Sequence, residues 1–445
     1  MRREIHNHKH PCVLWTVSVG SMKPAFLITI QNGKVHCLKM RVPLIAISIW
    51  MFMCMTIFGV ISYTYVLWSQ YWRTALEKKQ LMIMHNANYL QQSALYESRV
   101  SNNGVLNSPK GNNTGDVPMD KLNSKIHTYK SQLLIQLRKA QLVAGNVIFH
   151  KEKKERNIYK VKFKRQKMKI PAKSQQELIC ELKSKVKVEM LHKGIEPFRT
   201  LGYEKYFPQK PVFQTFQKHN TCAIVSSAGS MYRSKLGKEI DSHDIVLRFN
   251  SAPTEGYEDD VGSKTSIRFL NSQVVSKPEF DFFNSALYRN ITLIVWDPSK
   301  YHGSLDEWYK KPDFDLFSSY WLHREVYPEQ PFYILHPEVV WNAWDFIQTN
   351  TLVPVEPNPP SSGFLGLLVL LQLCNIVDIY EYVPSMRLTK RCHYFDVHED
   401  IGCTLGDWHP LASEKLLSLA LNEGSDKDIF VTGKIKLSGF RKQVC

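Results

Sequence analysis

Apolar residues are distributed along this chain in two ways. From Val42 to Trp68 the run VPLIAISIWMFMCMTIFGVISYTYVLW carries no charge over 27 residues. A hydrocarbon layer needs only about 20, so the run predicts a single membrane-spanning helix. Beyond about residue 175 the pattern becomes short apolar segments separated by amphipathic ones. Cys222–Ser226, Ile245–Phe249, Thr265–Leu270, Thr292–Trp296, Phe332–Leu335 and Val377–Tyr382 read as strands, with helices over Glu338–Gln348 and Gly363–Cys374. Strands alternating with helices predict an α/β domain built on a mostly parallel sheet with helices on both faces. The apolar run Phe364–Leu371 is too short to cross a membrane and reads as a core helix. The polar region after the span contains SNNGVLNSPKGNNTGDVP, which cannot bury a core and predicts a flexible stem. The expected organisation is a tail (1–41), a span (42–68), a stem (69–174) and one folded domain (175–445).

Charge orients the chain. The net charge is +16, and residues 1–41 carry seven Lys/Arg against the single acid Glu4. The positive-inside bias keeps this tail cytosolic and sends the remainder across the membrane. Between Lys151 and Lys173 lie eleven Lys/Arg and two acids. No aromatic-rich binding module surrounds that run, so it reads as a solvated continuation of the stem and not as a nucleic-acid surface. Six cysteines (Cys180, Cys222, Cys374, Cys392, Cys403, Cys445) fall on the translocated side. An even count suits disulfides in an oxidising compartment, with 15 pairings open to arithmetic alone. Asn112-Asn113-Thr114 and Asn290-Ile291-Thr292 are glycosylation sequons usable in a secretory lumen.

Candidate chemistry gathers at strand exits, where ligands bind in a doubly wound sheet. Ser226 and Ser227, Asn250, and Asn271 with Gln273 follow three successive predicted strands. In PNPPSSGFLGLLVLLQLC, Ser361 or Ser362 is a natural N-cap after Pro359-Pro360, and Gly363 allows close approach to the backbone. Free amides at such a helix start suit a phosphate. In CTLGDWHPLASEK, Pro410 fits a first helical turn, which puts His409 at or near the N-cap. A helix N-terminus there would lower the imidazole pKa and keep it a proton acceptor. The G-x-S-x-G elbow and the G-x-G-x-x-G fingerprint are both absent. Cys392, His393, His398 and Cys403 fit no common zinc spacing, and Asp313-Phe314-Asp315 is a short D-x-D match for a sugar-nucleotide metal site.

Taken together, these residues resemble the sialyltransferase family. Cys222–Gln273 is similar to its long motif and PNPPSSGFLGLLVLLQLCNIVDIYEY to its short one. CHYF stands where the third motif belongs, and HPLASE matches the His-x4-Glu motif through His409 and Glu414. LIVWDPSKYH, QPFYILHP and PNPPSSG resemble the β-galactoside α-2,6 branch most. The resemblance implies a Golgi type II membrane enzyme with a GT-A-like, Rossmann-type lumenal domain. It implies CMP-sialic acid as donor, galactose-terminated glycans as acceptor partners, inversion at the anomeric carbon and no metal cofactor. Carried over, it implies donor contacts from Ser227, Asn250, Asn271, Ser361, Ser362, Gly363, His393, Thr404 and Trp408. His409 becomes the general base, and Gln273, Asp313 and Lys415 hold the acceptor. His393 and Trp408 stand where relatives often have Tyr. The implied disulfides are Cys180–Cys445, Cys222–Cys374 and Cys392–Cys403. Two other readings compete: an inactive lumenal glycan-binding homologue, and a metal-dependent transferase using Asp313 and Asp315.

Overall fold

Seven segments form one sheet in the computed structural model, which describes residues 30–31, 34–35, 51–65, 117–149, 157–163, 172–215, 219–400, 402–406 and 408–445. The strands are β1 (His219–Val225), β2 (Ile245–Phe249), β3 (Ile267–Asn271), β4 (Thr292–Trp296), β5 (Phe332–Ile334), β6 (Cys374–Tyr380) and β7 (Lys434–Ser438). Their spatial order is β5-β4-β3-β2-β1-β6-β7. All neighbours are parallel except β6 and β7, which run antiparallel. The order reverses between β1 and β6, which makes that pair the switch point at which a crevice opens beyond the strand ends. Residues Cys222–Val225 are all buried, as are Val246–Phe249. Central parallel strands covered on both faces read as continuous apolar runs for this reason. The α/β expectation holds; β7, an alternating KIKLS strand, is an addition to it.

Among the described residues of the unit 96–445, six helices of eleven or more residues accompany the sheet: α1 (Val117–Phe149), α2 (Gln175–Lys185), α3 (Leu316–Val326), α4 (Pro337–Thr349), α5 (Ser362–Leu373) and α6 (Leu411–Leu421). Ser174 starts α2 through a capping box with Glu177, which satisfies two otherwise orphaned amides. α5 is apolar all round because it is buried all round, and it belongs to the main core with β1, β2 and β6. Gly366 lets it lie on the sheet: a Cβ there would stand 2.9 Å from the Phe249 ring. The chain leaves α5 directly into β6 at Cys374.

The three disulfides join Cys180–Cys445, Cys222–Cys374 and Cys392–Cys403, the pairing implied by the family resemblance. Cys222–Cys374 ties β1 to the end of α5 across a sequence separation of 152 residues.

The region expected as an unstructured stem differs. α1 runs for 33 residues within it, and Ile126, Leu133 and Leu137 are buried in the main core. Tyr159 and Val161 from the basic stretch join the same core. The stem reading is thereby corrected over 117–149 and 157–163. The physical reason is an apolar stripe at positions 122, 126, 129, 133, 137 and 140, spaced to line one helical face and hidden in composition by Lys and Asn.

The chain divides into two units, 1–95 and 96–445, and the sheet lies in the second. Of the expected span 42–68, the stretch 51–65 is described and is helical, with its side chains exposed. Among the described residues no helix is long and apolar enough to cross a membrane. The ends of that span, and Asn112, lie outside the described residues.

Replacing both Cys222 and Cys374 by Ala should cost about 2–5 kcal/mol of domain stability, since the bridge closes a long loop in the unfolded chain. Urea unfolding of the variant measures it; a loss below about 1 kcal/mol would show that the bridge contributes little.

Candidate active site

The crevice at the switch point is built by the exits of β1 and β6. Ala228, Gly229 and Ser230 from the β1 side face Glu381, Tyr382, Pro384, Leu388, Thr389 and Arg391 from the β6 side. Cys392, Cys403, Thr404 and Lys415 complete the lining of the crevice. Gly229 is required here: a Cβ would stand 2.7 Å from the Arg391 Cβ. Ser227 lies at the rim, its carbonyl accepting from the Tyr394 amide at 3.1 Å. His393 bridges Ala228 as an antiparallel neighbour, stacks on Phe395 and engages Asp396 at 2.6 Å.

Two further strand exits are coupled. Asn250 follows β2 in a left-handed conformation (φ 46°), which Asn tolerates better than most residues. Its Oδ1 accepts from the Asn271 amide at 3.0 Å. Asn271 in turn caps the turn after β3, accepting from the Val274 amide at 3.3 Å. Gln273 sits on that turn, its Oε1 accepting from Lys277 at 2.8 Å.

The start of α5 is the electrostatic centre. Ser361 is its N-cap, and Ser361 Oγ accepts from the Phe364 amide at 3.2 Å. The fully buried Glu414 carboxylate, from the first turn of α6, lies against this cap. It accepts from the Ser361 amide at 2.8 Å, from Ser361 Oγ at 2.5 Å and from the Tyr382 hydroxyl at 2.5 Å. A carboxylate is thus already placed at the positive end of α5, where the dipole favours it. Ser362 Oγ accepts from Trp296 Nε1 at 3.0 Å. At Gly363 the Tyr382 ring would stand 2.7 Å from a Cβ, so a side-chain contact already calls for glycine there.

His409 lies one residue before the Pro410 N-cap of α6, so Pro410 precedes the first turn instead of occupying it. Its Nδ1 is 2.8 Å from the Pro359 carbonyl oxygen. A carbonyl only accepts, so Nδ1 carries the proton and Nε2 keeps a free lone pair. Burial lowers the imidazole pKa; the Glu414 charge and the Pro359 carbonyl oppose that shift. The dominant cause is therefore desolvation and not the helix end expected from the sequence. Trp408 packs edge-on against His409 at 4.5 Å and is largely exposed. Lys415 is buried, its pKa pushed down to about 8 by desolvation, with Nζ 5.0 Å from the centre of the Tyr382 ring.

Asp313 and Asp315 have separate tasks. Asp315 caps α3 through the Ser318 amide at 3.2 Å. Asp313 accepts from the Tyr159 hydroxyl at 3.0 Å, and its own amide donates to Asp297 at 2.9 Å. Asp297 is buried at the exit of β4, also holds Trp308 Nε1 at 2.7 Å and the Ser272 hydroxyl, and burial raises its pKa to about 6. Among the described residues, the group of possible metal ligands is Cys392, His398 and Asp400, and Cys392 is tied up in a disulfide. Neither Asp313 nor Asp315 belongs to such a group.

The predicted residues therefore divide. Thr404 and Lys415 line the crevice that Ser227 and His393 border, while Gln273 and Asp313 stand at the exits of β3 and β4. Lys415 is placed apart from the other two expected acceptor residues. Tyr159 was missed. Its hydroxyl holds Asp313 and its ring lies 6.3 Å from Trp408 and 5.4 Å from Trp341, linking the two groups. A tyrosine inside a lysine-rich stretch carried no periodic signal that could have revealed it.

Residues 150–425 match the family model for glycosyltransferase family 29 (sialyltransferase). The chain belongs to that family. A Gallus gallus protein named beta-galactoside alpha-2,6-sialyltransferase 2 is 50% identical over 270 residues, covering 60% of this chain and 51% of the relative. The Homo sapiens protein of the same name is 49% identical over 273 residues, covering 61% of this chain and 52% of the relative. This family member thus spans about half the length of the curated relatives it matches. A solved structure described as a mammalian sialyltransferase aligns at 21% identity with a TM-score of 0.32, over 61% of this chain and 82% of that one.

Glu414→Ala leaves the Ser361 and Tyr382 donors without their acceptor, so it should cost about 3 kcal/mol in chemical denaturation. Glu414→Gln should recover part of that loss through its remaining carbonyl oxygen. Equal stability of wild type and Glu414→Ala would contradict the assigned clamp.

Proposed function

We propose that this sialyltransferase moves sialic acid from CMP-sialic acid to the 6-hydroxyl of a terminal β-galactose, with inversion and without a metal. One observation carries the mechanism: His409 Nδ1 is committed to the Pro359 carbonyl, which leaves Nε2 as a basic nitrogen beside the α5 cap. The galactose O6 attacks the anomeric carbon as its proton passes to Nε2. The bond from that carbon to the CMP phosphate oxygen breaks, and CMP leaves as the phosphate monoester. The half-identity to relatives that bear the α-2,6 name supports the linkage.

The donor lies in the crevice between β1 and β6, with Ser227, His393 and Thr404 on one side and the α5 start on the other. Asn250 and Asn271 hold its nucleoside part. Ser362 and Gly363 offer amides to the phosphate beside the Ser361 cap, whose own amide and hydroxyl are held by Glu414. The donor phosphate therefore needs a cation, and Lys415 at the same wall supplies it in place of an acceptor contact. Gln273 and Asp313 bind the galactose, and Trp408 offers a stacking face. A Golgi type II topology, anchored by 42–68 with Asn112 and Asn290 lumenal, fits the charge pattern of the N-terminus. Asn290 is exposed ahead of β4, as a glycan there requires.

Incubating the full-length chain with CMP-sialic acid and N-acetyllactosamine in EDTA should yield an α-2,6-linked product. No product, an α-2,3 linkage, or product only with added metal would overturn the reading. Removing the base through His409→Ala should lower kcat by about 10²–10⁴-fold.

The pH dependence has a definite sign. The His409 pKa is lowered from about 6.5 in the folded chain, so the unfolded chain takes up the proton first. Its contribution to stability is intact above pH 6.5 and is lost as pH falls toward the folded value. Activity should accordingly keep its neutral base below pH 6.5, with an acid limb centred under that value. Glu414→Gln removes a charge that raises the His409 pKa, so it should move that limb further down; an upward move would refute the assignment.

A further inference from the structure

The helix α1 lies outside the matched family region, which begins at residue 150, yet it grips two parts of the site. The Tyr129 hydroxyl donates to the Ser385 carbonyl at 2.6 Å, and its ring packs edge-on against Phe430 at 5.9 Å. Ser385 belongs to the loop that leaves β6 and supplies Pro384, Leu388, Thr389 and Arg391 to the crevice wall. That loop is wound round the buried Glu381 carboxylate. Ser385 donates to it from its hydroxyl at 2.7 Å and its amide at 3.1 Å, and Arg387 pairs with it at 2.5 Å. Arg387 also donates to the Val431 carbonyl at 2.7 Å, tying the loop to the segment against which Tyr129 packs.

Twelve residues further along α1, or about 18 Å at 1.5 Å per residue, Gln141 Nε2 donates to Ser413 Oγ at 2.9 Å. Ser413 is buried and precedes Glu414 in the first turn of α6, just after His409 in the chain. Ile126, Leu133 and Leu137 fix the helix in the core. A helix that served packing alone could do so with its apolar stripe. Lys130 also makes an exposed ion pair with Asp426 away from the site, whereas the Tyr129 and Gln141 contacts fall on the crevice loop and on the helix that follows the base.

We propose that α1 is a strut for the active site, with Tyr129 positioning the crevice loop and Gln141 positioning the start of α6. This rests on the donor site and base assigned above. Neither residue touches the reacting atoms; each acts through the wall it holds. The two ends then control different steps: the Tyr129 end sets donor affinity, and the Gln141 end sets turnover through His409 and Glu414.

The test compares full-length Tyr129→Phe, Gln141→Leu and, as a control on the exposed face of α1, Gln132→Ala. CMP binding is measured by calorimetry, and transfer kinetics with N-acetyllactosamine. Tyr129→Phe keeps the ring and loses one hydrogen bond. It should weaken CMP binding and raise the donor KM about fivefold, a change of about 1 kcal/mol, with kcat within about twofold. Gln141→Leu should lower kcat about fivefold and leave CMP binding within about twofold. Thermal melts report any general loss of fold. The strut is refuted if both variants match Gln132→Ala, or if Kd and kcat shift together in proportion to lost folded protein. Wild type that binds CMP without transferring sialic acid would overturn the proposed function, while the CMP comparison would still decide the role of Tyr129. Wild type that fails to bind CMP would overturn both.

Discussion

One buried carboxylate organises the site. Taking Glu414 out of water costs several kcal/mol unless its oxygens are matched. The match comes from the amide and hydroxyl of Ser361 and from the Tyr382 hydroxyl. Those donors belong to the start of α5 and the exit of β6, and Glu414 itself to α6. A single anion therefore fixes three elements relative to one another, at the point where the sheet reverses its order. His409 stands five residues earlier in the chain, inside the field of that charge. The basicity and the location of the candidate base both depend on this clamp.

This arrangement changes the meaning of the paired serines at 361 and 362. An N-terminal helix end is a general anion site, but this one has its anion built in. On the proposed function, a donor phosphate shares the positive end of α5 with Glu414 and needs a nearby cation. Lys415, buried and adjacent in sequence, meets the requirement. On that proposal His-x4-Glu holds two coupled functions: a proton acceptor, and the carboxylate that holds the floor beneath it.

Much of the fold was legible in the residues because buried parallel strands leave unbroken apolar runs; Ile245–Phe249 and Thr292–Trp296 match their observed limits. β7 escaped because KIKLS is an alternating edge strand that resembles any polar loop with two apolar residues. α1 escaped because its Lys and Asn residues masked the stripe Leu122, Ile126, Tyr129, Leu133, Leu137 and Ala140. Within the site, His409 was legible from its motif, and the lone pair on Nε2 was not, since it depends on a carbonyl fifty residues away. The same holds for Tyr159 and Asp297, whose roles arise from long-range hydrogen bonds that no local pattern encodes. The pairing of the six cysteines was open on spacing alone and came from family resemblance.

The two rims of the sheet have a consequence for how the molecule meets others like itself. Unpaired strand edges are templates on which further chains can add. On one rim β5 is only three residues long, and the segment around Met190 covers it: the Leu191 amide donates to the Ile334 carbonyl at 2.8 Å, and the His336 amide to the Glu189 carbonyl at 2.9 Å. On the other rim β7 runs against the grain of the sheet, and the segment after α6 covers it: the Glu423 amide donates to the Lys436 carbonyl at 2.8 Å and the Lys436 amide to Asn422 Oδ1 at 2.9 Å. Both rims resist edge-to-edge stacking, so a concentrated, crowded population of this domain is protected from polymerising through its own sheet.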